Sequence, residues 1–131
     1  MKKIFLGGVL VLVVTVIVVI FNFNQNINLL TIDKENIEKI SITSGINGKV
    51  VEVNKENYDA ICDNIVDLKG KKQNNFNSTG WVYKISFYKK DSLEEITFIS
   101  EKMVIVSNQK YRINEESGEK IITVLKENVN K

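Results

Sequence analysis

Residues 81–88, WVYKISFY, decide the fold class. Trp81, Tyr83, Ile85 and Phe87 alternate with Val82, Lys84, Ser86 and Tyr88. A period of two puts four large side chains on one side of an extended chain, so this is a strand with an aromatic inner face. Trp81 is expected to plug the core from that face. Lys89-Lys90-Asp91-Ser92 turns the chain back into Glu95–Ile99, where Ile96 and Phe98 point the same way. Two shorter runs follow, Met103–Val106 and Tyr111–Ile113, joined by a turn at Ser107–Gln109.

Upstream, residues 69–80 (KGKKQNNFNSTG) show no periodicity and read as an exposed loop. Before them, Tyr58, Ile61, Cys62, Ile65 and Leu68 recur at three and four residues, the stripe of a helix over 55–68 lying on a sheet. Asn54 is placed to cap it and Gly70 to end it. Ile37–Thr43 and Lys49–Val53 are strands joined through Asn47-Gly48, whose positive-φ tolerance favours a tight hairpin. At the other end Asn114 caps a final helix striped by Ile121, Ile122, Val124, Leu125 and Val129. Gly118 in its first turns costs about 1 kcal/mol relative to Ala, so a frayed start is expected. The order is ββα, three to four strands, then α. That is an α+β domain with one curved antiparallel sheet and both helices on one face.

Ahead of this domain lies Ile4–Phe21 (IFLGGVLVLVVTVIVVIF), uncharged and preceded by Lys2 and Lys3. Eighteen helical residues rise about 27 Å, close to the thickness of a bilayer's hydrocarbon core. Fifteen of them are Leu, Ile, Val or Phe. At roughly −0.3 to −0.6 kcal/mol each they favour insertion by up to about 5–9 kcal/mol, an upper bound because those are midplane values. Val and Ile prefer strands in water, but lipid leaves a lone strand's N–H and C=O groups unpaired, so helix is the expectation. The run is long for a cleaved signal and leaves through Phe21-Asn22-Phe23-Asn24 with no small-residue cleavage pair. The expected division is a cytoplasmic tip (1–3), a transmembrane signal anchor (4–21), a polar stalk (22–32) and an outward-facing domain (33–131). The two leading lysines set that orientation.

Composition narrows the chemistry. Lys plus Arg number 18 and Asp plus Glu 16, and Lys2 and Lys3 supply the whole excess. The outer domain is therefore formally neutral, which argues against nucleic acid as a partner. Without histidine and with the single Cys62, the chain lacks the usual proton carrier and zinc ligand, and it cannot form an internal disulfide. Cys62 lies on an apolar stripe and reads as an inert buried thiol. No cofactor and no metal is called for.

Two constellations remain as candidate interaction sites. Asp59, Asp63 and Asp67 fall four apart on one helix edge, an acidic stripe suited to a cationic partner or a loosely held divalent ion. A solvated face neutralised by Lys55 and Lys71 is the plainer reading. Lys69, Lys71 and Lys72 cluster in the loop beside Phe76, where they could meet an anionic surface or simply keep the loop in water.

The order of elements and the Asn-, Lys- and Ile-rich composition resemble, in general plan, small signal-anchored extracytoplasmic proteins of low-GC Gram-positive bacteria. The resemblance spans the chain and implies location and architecture; no functional residue comes with it. The expected role is a non-enzymatic binding or accessory module at the cell envelope. Its partners would be membrane lipid through the helix and an envelope protein. The alternatives are an envelope self-protection protein and a small histidine-independent hydrolase.

Overall fold

A computed structural model describes residues 11–17, 26–74 and 80–130. The fold is α+β, with one eight-stranded antiparallel sheet. In chain order the strands are β1 Ile27–Asn28, β2 Ile37–Ser44, β3 Val50–Glu52, β4 Lys69–Gln73, β5 Tyr83–Lys89, β6 Leu93–Ser100, β7 Met103–Val106 and β8 Gln109–Ile113. Helix α1 (Tyr58–Val66) separates β3 from β4, and α2 (Glu115–Val129) closes the chain. In space the order is β1-β4-β8-β7-β6-β5-β2-β3.

The centre is the pairing predicted from WVYKISFY. Ile85 lies opposite Ile96 and Ile42, Tyr83 opposite Phe98, and Phe87 opposite Ile40. These side chains share one face with Val104 and Val106 and meet Ile61, Cys62 and Ile65 of α1 and Ile121, Leu125 and Val129 of α2. Phe87, Phe98, Ile85 and Ile96 are fully buried. Removing a large apolar side chain from water stabilises by about 1.5–3 kcal/mol, so this one layer outweighs any cap or ion pair described below.

Strand order also dictates what the connections do. β3 lies at one margin of the sheet and β4 next to the other, so α1 carries the chain across the core face. Residues 29–36 cross in the opposite sense, from β1 to β2. Leu30 of this strap enters the core, and Lys89 Nζ donates to Thr31 O at 3.5 Å while lying 3.1 Å from Glu94 Oε2. The strap therefore closes the core at the β5–β6 turn.

Several expectations are corrected. Residues 69–73 are a strand, because pairing with β8 and β1 supplies order that the side-chain pattern does not advertise. Gly70 is buried within β4 and does not end a helix; a Cβ there would come within 2.8 Å of Leu29 Cδ2 and Tyr111 Cβ. Of the stretch read as stalk, residues 26–32 join the fold through β1 and Leu30, and residues 22–25 lie outside the described residues. Asn54 makes no side-chain cap; it precedes a 3-10 turn at Lys55–Asn57 that leads into α1. Trp81 stays outside the core, half-buried against Gly45, because Gly45 N donates to Val82 O and extends the β2–β5 ladder beneath it. That same extension widens the β2–β3 turn, in which only Gly48 takes a positive φ, of 73°.

The final helix starts without fraying. Asn114 accepts from Ser117 N at 3.1 Å, as the sequence implies, and Glu115 and Glu116 suit the positive end of the helix. Gly118 is buried where the helix meets the β6–β7 turn, and a Cβ there would fall 1.9 Å from Glu101 O. Propensity alone expects Gly118→Ala to stabilise by about 1 kcal/mol. The contact expects destabilisation by about 1–3 kcal/mol, the cost of overpacking against backbone. Urea unfolding of the two proteins in detergent decides the sign.

Candidate functional site

The three aspartates do not act together. Lys34, on the strap, reaches α1 and pairs with both Asp63 and Asp59, the latter at 3.4 Å. A cation from the chain itself therefore fills the position in which a divalent ion was considered. Hydrogen bonding to Asp63 is the largest cause that raises the Lys34 pKa above its ordinary 10.5; desolvation opposes it, and Asp59 adds a smaller push upward. A raised value means this pairing contributes fully below 10.5 and is lost only as pH climbs through the folded value. Asp67 stands apart, as the residue that ends α1. Among the described residues no three Asp, Glu or Cys side chains converge as metal ligands.

The lysine cluster is divided by the pleat. Successive residues of a strand face opposite ways, so Lys72 shares the helix-bearing face with Tyr111, its partner on β8. Lys69 and Lys71 face away, and Lys71 lies directly opposite Arg112. Phe76 lies outside the described residues. The corner where β4 and β8 meet the end of α1 and the start of α2 holds a cavity of about 410 Å³. Lys69, Lys71, Arg112, Asp67, Asn26 and Asn114 all line it. Like charges directly opposite across a ladder destabilise a sheet. Among the described residues no ion pair forms on Lys71 or Arg112.

Arg112 and Asn26 were not singled out from sequence. Arg112 was accessible in principle, since Tyr111-Arg112-Ile113 alternates and turns Arg112 away from the core. Its neighbour was not accessible, because nothing in KGKKQ announces a strand.

The sheet face opposite the helices carries no helix among the described residues. Ser86 Oγ donates to Glu95 Oε2 at 2.9 Å there, and two lysines lie beside aromatic rings. Lys39 Nζ is 5.0 Å from the centre of the Tyr88 ring, and Lys84 Nζ is 5.3 Å from that of Trp81. A larger depression, of about 580 Å³, runs from Lys84, Glu95 and Thr97 of this face to Leu30 and Thr31 of the strap. Glu95, which lines it, is the carboxylate that accepts from Ser86, and Ser86 itself is buried. Cys62 is fully buried, and burial is the main cause that pushes its thiol above the ordinary 9.0.

Comparison of the chain with protein-family models, curated proteins and solved structures finds no match. The site therefore rests on geometry.

Two outcomes are expected. Lys71→Gln removes a like-charge opposition and stabilises the domain by about 0.2–1 kcal/mol in denaturant titrations. Cys62 resists alkylation in the folded protein and reacts readily in urea. Because its folded pKa is raised, stability falls as pH rises past 9.0, where only the unfolded thiol ionises. Cys62→Ala flattens that alkaline slope, read from unfolding at stepped pH.

Proposed function

We propose that this chain is a membrane-tethered, non-enzymatic binding or accessory module whose folded domain works on the outer side of the membrane. The observation that carries the reading is the state of residues 11–17. They are helical, and their apolar side chains from Val11 to Ile17 are all at least half exposed. Thr15 Oγ1 donates to Val11 O at 2.8 Å, which satisfies the one polar side chain of this stretch within the helix. A helix that is apolar all round and that its own domain leaves uncovered calls for another apolar surrounding. Among the described residues no helix is long and apolar enough to cross a membrane, and the rest of Ile4–Phe21 lies outside them. Lys2 and Lys3 favour the amino terminus on the cytoplasmic side.

One feature supports a binding role: large apolar side chains stand out on the β2–β3 hairpin. Ile46 is 79% exposed and Val50 63%. They lie at the margin of the sheet farthest from β1, at the free end of a domain tethered through its amino terminus.

The test is made on whole cells. Protease added outside is expected to digest the domain while leaving an alkali-resistant membrane fragment that contains residues 4–21. A domain untouched until the cells are lysed would contradict the orientation. Crosslinking in intact cells is expected to trap an envelope component on the wild-type chain, with Ile46→Asp cutting the yield about tenfold, the scale of a 1.4 kcal/mol loss of affinity. An unchanged yield would remove the hairpin from the proposal.

A further inference from the structure

We infer that the corner formed by Lys69, Lys71 and Arg112 docks on anionic phospholipid headgroups of the membrane that the amino-terminal run enters. This deepens the tethered reading and rests on it. Three observations meet at this corner. Lys71 and Arg112 are held opposite one another by the β4–β8 register, and among the described residues no ion pair forms on either. Such an opposition weakens a sheet in water and becomes favourable beside negative charge. Next, the three cations line one cavity of about 410 Å³, with Asp67 the single carboxylate among its lining residues. Lastly, the tether arrives at the same place: Asn26 lines that cavity, and β1 pairs with β4 along the strand that carries Lys69 and Lys71.

Chain length turns this coincidence into a constraint. Five residue steps separate Phe21, the last of the apolar run, from Asn26, and even a fully extended chain covers at most about 18 Å in five steps. Asn26, at the edge of the corner, is therefore held within about two Debye lengths of the end of the apolar run at about 0.1 M salt, where that length is about 10 Å. The domain as a whole is neutral, so general attraction to the surface is weak. Attraction concentrated at one corner sets orientation: the β1–β4–β8 side faces the membrane, and the β2–β3 hairpin with Ile46 and Val50 faces away.

Lysine footprinting on the full chain tests this. The protein is reconstituted into vesicles of phosphatidylcholine alone or of phosphatidylcholine with about one third phosphatidylglycerol, pulsed with an amine-reactive ester and read by peptide mass spectrometry. In the anionic vesicles Lys69 and Lys71 are expected to label at least about threefold more slowly than in the neutral ones. Lys39 and Lys126, exposed elsewhere, are expected to change little, and about 0.5 M salt is expected to abolish the difference. Arg112→Gln, checked for an unchanged circular dichroism spectrum, is expected to weaken the protection of Lys71. Equal labelling of Lys69 and Lys71 in both vesicles, or uniform slowing of every lysine, would overturn the docked corner. Protection in neutral vesicles on adding inorganic phosphate alone would overturn the lipid assignment. Flotation after an alkaline wash reports the tether separately: protein that fails to float refutes the tethered reading, and floating protein without protection refutes only the docking.

Discussion

The structure depends on one layer of contact, the burial of α1 and α2 on a single face of the sheet. Phe87, Phe98, Ile85 and Ile96 offer the flat apolar surface, and Ile61, Ile65, Ile121 and Leu125 cover it. Neither side is stable alone: each helix is too short to persist in water, and an open sheet with an aromatic face would aggregate. Because β3 and β4 lie near opposite margins, α1 has to span that surface, and the same crossing delivers β4 to the margin where β1 waits. The helical layer thus decides where the basic corner forms.

Electrostatics fills in details that the core leaves open. Lys34 pins the strap to α1 through Asp59 and Asp63, and Lys49 Nζ donates to Val129 O at 3.2 Å, meeting the carbonyl end of α2 from the β2–β3 turn. Both neutralise charge or dipole that the helices would otherwise present to water. Lys71 and Arg112 do the reverse and place like charges together. A formally neutral domain that pairs Lys34 with acids of α1 and leaves Lys71 opposite Arg112 has a surface organised by position and not by net charge.

Much of this was legible in the sequence, for definite reasons. The central strands were readable because Tyr83, Ile85, Phe87, Ile96 and Phe98 alternate without interruption, and α2 because Asn114 precedes a full apolar stripe. The margins were not. β4 is Lys-Gly-Lys-Lys-Gln, whose strand state comes from its partners and whose Gly70 is explained by Leu29 and Tyr111 lying over it. β1 is two residues long and lies in what reads as a polar stalk. Gly118 looked like a weakness in a helix and proved to be the contact that lets α2 approach Glu101. The lysines were found as a cluster, but the pleat that sends Lys71 one way and Lys72 the other became visible only with the register.

The pairing of β4 with β8 is what brings Lys69, Lys71 and Arg112 to one corner. The direct measurement is nuclear Overhauser spectroscopy of the full chain in detergent micelles, tracing backbone contacts from residues 70–73 to residues 110–113. Contacts in the antiparallel register Gly70 to Ile113 through Gln73 to Lys110, with slowed amide exchange in the same stretch, are the expected result. Random-coil shifts and free exchange over residues 69–73 would contradict it and dissolve the corner together with its orientation.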